Sequence, residues 1–138
     1  IATGIGMNAC NAGKRVLFAN AKELVDKLYE EMTKGNLEET LEKLQKIDLL
    51  IIDELSYIKM DRERESLFFQ IIRQRYEKSS LIITTNLPMG RWDELFTGQL
   101  AATAILDRLL HHCHVISITG DSYRVKGSKL SVKNRMDR

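Results

Sequence analysis

Two adjacent carboxylates, Asp53 and Glu54, follow directly on four apolar residues, Leu49-Leu50-Ile51-Ile52. A run that is apolar on both faces suits a central strand of a parallel sheet, covered by helices above and below. In open α/β sheets ligands sit outside the carboxyl ends of the strands, so this strand would deliver both acids to the place where a ligand belongs. An acidic pair there can hold Mg²⁺ and orient a water, the chemistry that nucleoside-triphosphate hydrolysis requires. The same residues also read as a buried strand ending in an acidic turn.

The elements that must position this pair are readable in order. Ile1–Ala12, rich in small residues and containing Gly4 and Gly6, reads as a helix closely packed against something, stopped at Asn11-Ala12-Gly13. Gly4-Ile5-Gly6 is not a nucleotide fingerprint, because no strand precedes it and the third glycine is missing. Arg15–Asn20 reads as a short buried strand. Asn20 then caps a helix, with Glu23 three residues on, and Leu24, Val25, Leu28 and Met32 form its apolar face. Gly35-Asn36 breaks that helix, and a shorter one carries Leu37, Leu41 and Leu44. Asp61 is an expected N-cap for a long helix, Arg62–Tyr76, buried through Leu67, Phe68, Ile71, Ile72 and Tyr76, with the charges of residues 61–65 forming a solvated first turn.

Ser80–Thr85 is a third strand, ending at Asn86 before the only proline, Pro88. Trp92–Phe96 and Gln99–His111 read as helices, His114–Ile118 as a fourth strand and Tyr123–Val125 as a short edge strand. From Lys126 the chain is basic, with Asp137 its only acid. Alternation of strands and helices implies a parallel sheet with crossover helices.

The bulk properties set the class. With 138 residues, 43% hydrophobic and 29% charged, the chain is long enough for one domain with a real core and ordinary for a globular protein. No apolar run approaches a membrane span and no signal peptide is visible, so no membrane partner is expected. Two cysteines, Cys10 and Cys113, make no disulfide framework; both read as buried small hydrophobes, and a reducing, cytoplasmic compartment is the default. The formal net charge is only +2, so the molecule as a whole is no polycation.

Taken together, Arg15-Val16-Leu17-Phe18, Asp48 to Leu55, Ile82 to Pro88, Ala104 to His112 and Gly120-Asp121-Ser122-Tyr123-Arg124 resemble the AAA+ ATPases of the DnaC/IstB clade, and above all the IstB-like transposition helpers. The phrases span nearly the whole chain; each alone is weak, and the set in this order is specific. The resemblance implies an α/β fold, a three-layer αβα P-loop NTPase with a mostly parallel sheet, with an ATPase core over residues 1–125 and a flexible basic tail over 126–138. It implies ATP and Mg²⁺ as ligands. Asp53 corresponds to the Walker B aspartate that orients Mg²⁺ through its water shell, and Glu54 to the general base that polarises the attacking water. Asn86 resembles the sensor residue that positions this water, although an Asn ending a strand before a proline turn is also a common structural device. Arg108 resembles the arginine finger that reaches a neighbouring subunit's nucleotide; an intrahelical pair with a carboxylate is its alternative.

The resemblance also implies sequence-independent DNA binding, self-assembly into rings or filaments, and a transposase as partner. A replicative helicase served by a loader of the DnaC/DnaI type is the second possibility. Lys22, Lys27, Lys34, Lys43 and Lys46 lie on the two helices that face nucleic acid in this clade; on charge alone they equally keep a helix pair soluble.

One departure is large. The phosphate-binding loop Gly-x-x-x-x-Gly-Lys-[Ser/Thr] is absent. In the family that loop and the strand leading into it come just before the opening helix, and the strand lies between the one ending at Asn86 and the one at His114–Ile118. A slot in the sheet is therefore expected, with unpaired backbone on both sides. The expectation is a fragment of a longer polypeptide, one that alone neither binds ATP nor folds cooperatively.

The cluster His111-His112-Cys113-His114 reads as a helix ending at a polar junction, where histidine suits the C-terminal dipole. Neighbouring residues diverge on a helix or strand while structural zinc sites space their ligands, which speaks against a metal.

Overall fold

A computed structural model of the chain describes residues 1–56 and 58–120. Three parallel strands form its sheet in the order β1 (Val16–Asn20), β2 (Leu49–Asp53), β3 (Ser80–Ile83). Their register aligns Val16 with Leu49 and Ser80, and brings Asn20 beside Asp53 at the other end.

The period of two along each strand sorts the side chains onto two faces. Leu17, Ala19, Leu50, Ile52, Leu81 and Ile83 join the main core. Helices α2 (Ala21–Thr33), α4 (Arg62–Arg75) and α5 (Gln99–His111) contribute Val25, Leu28, Phe68, Ile71, Ile72 and Ile105 to that same core. The opposite face carries Val16, Phe18 and Ile51 and is covered by α1 (Ala2–Asn11), which sits close because Gly6 has no side chain: a Cβ there would lie 3.0 Å from Ile51 Cδ1. The expected tight packing of this helix is thus met at one glycine. Coverage is uneven, with Ile51 fully buried and Phe18 49% exposed.

Local chemistry explains the element boundaries. Asn20 Oδ1 accepts from the backbone N–H groups of Lys22 and Glu23 and caps α2. Asp61 accepts from Arg64 N–H and caps α4. The short α3 (Leu37–Gln45) follows Gly35, whose φ of +79° suits glycine.

The charges at the start of α4 do more than meet water. Arg64 bonds Asp26 of α2 at 3.0 Å and lies over the Tyr29 ring. Lys22 and Arg64 together hold the Asp26 carboxyl below its ordinary range. Glu65 accepts from both the backbone N–H and the hydroxyl of Thr97. Asp61, Arg62 and Glu63 are exposed as expected, while Arg64 and Glu65 join α4 to α2 and to the segment entering α5.

On the same helix, Arg75 takes the buried position expected of Tyr76. It donates to the carbonyls of Leu44, Ile47 and Ser80, which fasten the end of α3 and the loop before β2 to the start of β3. Burial pushes this guanidinium's pKa down, against a smaller upward pull from the Asp48 carboxylate.

Three further expectations are corrected. His114–Ile118 is not a strand: residues 113–119 carry no regular structure, and Val115, Ile116 and Ile118 are exposed. A strand exists through its ladder, and β3 pairs only with β2 among the described residues. Cys10 and Cys113 are exposed rather than buried: Cys10 is on the part of α1 beside the open sheet face, and Cys113 follows the end of α5. The helix expected at Trp92–Phe96 is a 3-10 helix at Met89–Glu94, beginning directly after Pro88 and anchored by Trp92 Nε1 donating to Leu87 O. The expected edge strand at Tyr123–Val125 and the basic tail lie outside the described residues.

Candidate functional site

The carboxyl ends of β2 and β3 form one polar platform. Thr84, one residue past β3, continues the ladder through its N–H to Ile52 O. Its hydroxyl donates to Asp53 Oδ1 and accepts from Glu54 N–H at 3.0 Å. A single hydroxyl therefore fixes the Asp53 carboxylate and the backbone of Glu54 together. Glu54 departs from the strand with φ at +58°, a left-handed conformation uncommon outside glycine and a frequent mark of sites where function dictates geometry.

Across the register, Asn20 completes this end of the platform. Its Nδ2 donates to Glu54 Oε2 at 3.2 Å, while its Oδ1 caps α2. The second connection leads to Asn86. Thr85 Oγ1 donates to Leu55 O, so in its 3.3 Å contact with Ser56 Oγ it is the serine that donates. Ser56 Oγ in turn accepts from Asn86 N–H at 2.9 Å, and Thr85 Oγ1 accepts from Leu87 N–H. Each hydroxyl has its proton committed to one acceptor.

Asp53, Glu54 and Asn86 are thus brought together as the sequence implies, at adjacent strand ends. Glu54 and Asn86 are exposed and Asp53 half-buried. Neither carboxylate forms an ion pair among the described residues, and the side chain of Asn86 makes no hydrogen bond to them. Carboxylate and hydroxyl oxygens with no neutralising cation are a hard donor set, which fits Mg²⁺ better than a softer ion.

Arg108 stands apart from this platform. Its guanidinium lies 4.6 Å from the centre of the Phe69 ring of α4 and has no ion pair among the described residues. α5 begins beside Glu65 and ends where Tyr76 meets His111, so Arg108, in its last turn, lies toward the sheet edge opposite the carboxylates. The intrahelical ion pair weighed as its alternative does not form.

Of the five lysines, Lys22, Lys34 and Lys43 pair with Asp26, Glu30 and Glu39 one turn away on their own helices. All five are exposed.

The sequence reading missed Thr84, Thr85 and Ser56, and saw Asn20 only as a cap. Part of the signal was present: two hydroxyls, Thr84 and Thr85, directly after the apolar run of β3, and a third, Ser56, shortly after the end of β2.

With this geometry the comparisons become informative. The model of the family described as "IstB-like ATP binding protein" matches residues 1–131. The chain belongs to this family. IstB-like relatives include an ATP-binding protein of insertion sequence IS21 from Pseudomonas aeruginosa, 44% identical over 91% of this chain and 48% of its own length. One of insertion sequence IS5376 from Geobacillus stearothermophilus is 38% identical over 99% of this chain and 55% of its own. The chain spans about half the length of these IstB-like relatives.

Among solved structures, AMPPCP-bound DnaA from Aquifex aeolicus superposes with a TM-score of 0.64 at 19% identity, over 75% of this chain and 32% of that one. The DnaC helicase loader does so at 0.56 and 22% identity, over 72% and 61%. At such identities the likeness concerns the fold. This IstB-like chain shares with both an α/β fold of parallel strands and flanking helices.

Proposed function

We propose that this chain supplies the hydrolytic half of an ATP-dependent, DNA-binding helper of a transposase. The observation that carries the reading is the convergence of Asp53, Glu54 and Asn86 on one platform, fixed by Thr84 and Ser56. Asp53 would hold Mg²⁺. Glu54 accepts the proton of the attacking water, and the Asn86 amide positions that water. Bound Mg²⁺ would neutralise charge on the phosphate oxygens. The 138 residues contain no Gly-x-x-x-x-Gly-Lys-[Ser/Thr] loop to cradle the triphosphate.

Arg108 serves a neighbouring subunit's nucleotide, which agrees with its distance from its own chain's carboxylates and makes each active site shared. Assembly into rings or filaments follows from that sharing. The relatives are ATP-binding proteins of insertion sequences, which favours a transposase over a helicase as partner.

DNA contact is assigned to Lys22, Lys27, Lys34, Lys43 and Lys46 and would be directed at phosphates, without sequence preference. Because three of these lysines already have carboxylate partners, the phosphates must displace them. Binding of the full-length protein to duplex DNA, measured against salt concentration, is expected to weaken steeply and equally for unrelated sequences. A flat salt response or strong sequence preference would remove DNA phosphates from the account.

A further inference from the structure

The end of α5 contains a cluster with no part in the nucleotide platform. Helix geometry ordinarily separates the side chains of neighbouring residues, but α5 stops between His111 and His112. His112 leaves the helix with φ −138° and ψ 70°, and the two imidazoles come to 4.2 Å between ring centres. Glu77, just past α4, takes φ of +56° and presents its carboxylate to both. Glu77 Oε1 lies 3.1 Å from His112 Nε2 and 3.7 Å from His111 Nδ1. One ligand atom from each of the three residues falls within 4.8 Å of the others.

We propose that Glu77, His111 and His112 form a binding site for a divalent transition-metal ion, zinc being the natural occupant by donor chemistry. Zinc–nitrogen and zinc–oxygen bonds of about 2.0–2.2 Å at tetrahedral angles place ligand atoms about 3.4 Å apart. The two Glu77–histidine separations, 3.1 and 3.7 Å, bracket that spacing, and the two histidine ligand atoms lie within 4.8 Å of each other. Two imidazoles and one carboxylate select zinc, copper, nickel or cobalt over magnesium or calcium.

The carbonyl end of α5 adds attraction for a cation. Exposure of all three residues leaves a fourth position for water or for a group from a partner. The Tyr76 hydroxyl, 2.5 Å from His111 Nδ1, holds that nitrogen now, and the ion takes its place there. The site would clamp the end of α5 to the turn between α4 and β3, at the sheet edge opposite Asp53 and Glu54.

The test uses the full-length protein, stripped of metal with a chelator and titrated with zinc chloride in a calorimeter. One ion per chain is expected at low micromolar concentration or tighter, with a raised melting temperature. Cobalt(II) substitution is expected to give visible d–d bands without a thiolate charge-transfer band. Glu77→Gln and His112→Asn each weaken zinc by at least about tenfold, while Cys113→Ser leaves it unchanged. No zinc binding at hundreds of micromolar would overturn the proposal. So would a thiolate band with cobalt, or affinity lost in Cys113→Ser and kept in Glu77→Gln. The cobalt spectrum needs no variant and stands even if one of the substitutions disturbs the fold.

Discussion

The side-chain amide of Asn20 donates to Glu54 Oε2 at 3.2 Å while its carbonyl oxygen caps α2. One side chain thereby joins the start of a helix to the candidate general base on the adjoining strand. The bond occupies Oε2 alone and favours the Glu54 rotamer turned toward Asn20, so turning the carboxylate away toward a water costs that bond.

This restraint can be separated from the cap. Asn20→Ser keeps an oxygen suited to capping, so stability should change by less than about 0.5 kcal/mol, but serine is too short to reach Glu54. A hydrogen bond to a charged group contributes about 1.5 kcal/mol, so basal ATP turnover of the full-length variant should rise by up to about tenfold. Phosphate release measured without DNA or partner checks this; unchanged or reduced turnover would show that Asn20 does not hold Glu54 back.

Thr84 offers a second test. Thr84→Val keeps the shape of the side chain and removes the hydroxyl that donates to Asp53 and accepts from Glu54 N–H. Loss of such an orienting partner typically costs about 10–100-fold in metal affinity. The Mg²⁺ concentration for half-maximal turnover should therefore rise by at least about tenfold, with the protein still folded. An unaltered Mg²⁺ dependence would mean that Asp53 needs no help from Thr84.

The parts legible in the sequence are those fixed by local pattern. Leu49–Ile52, apolar on both faces, suits an interior strand, and Asn20 and Asp61 mark two helix starts by their residue types. The site acids followed from position alone, since a strand end is where a parallel sheet opens. What escaped depends on contacts between distant segments. Nothing local marks Arg75 as buried except its place one turn beyond Ile71 and Ile72, and its partners are carbonyls of segments far along the chain. Ile116 and Ile118 stand two apart, as on one face of a strand, yet a strand needs a neighbour, and periodicity cannot report whether one is there. The convergence of His111 and His112 turns on where α5 ends, the least readable feature of a helix.

Arg75 has a measurable consequence. Arg75→Ala leaves the carbonyls of Leu44, Ile47 and Ser80 without their donor in a buried setting. A loss of about 3 kcal/mol or more is expected, read by urea denaturation of the full-length protein. A loss below about 1 kcal/mol would show that water replaces the guanidinium at those carbonyls.

The claim on which the rest depends is that β2 delivers a Mg²⁺-orienting acid and a water-activating acid to a bound triphosphate. Replacing Glu54 by Gln in the full-length protein tests it directly, with ATP binding and hydrolysis measured on the same sample. The account predicts ATP affinity within about threefold of the parent and turnover reduced by at least about a hundredfold, the scale of a lost general base. Hydrolysis at the parental rate in Glu54→Gln would contradict it.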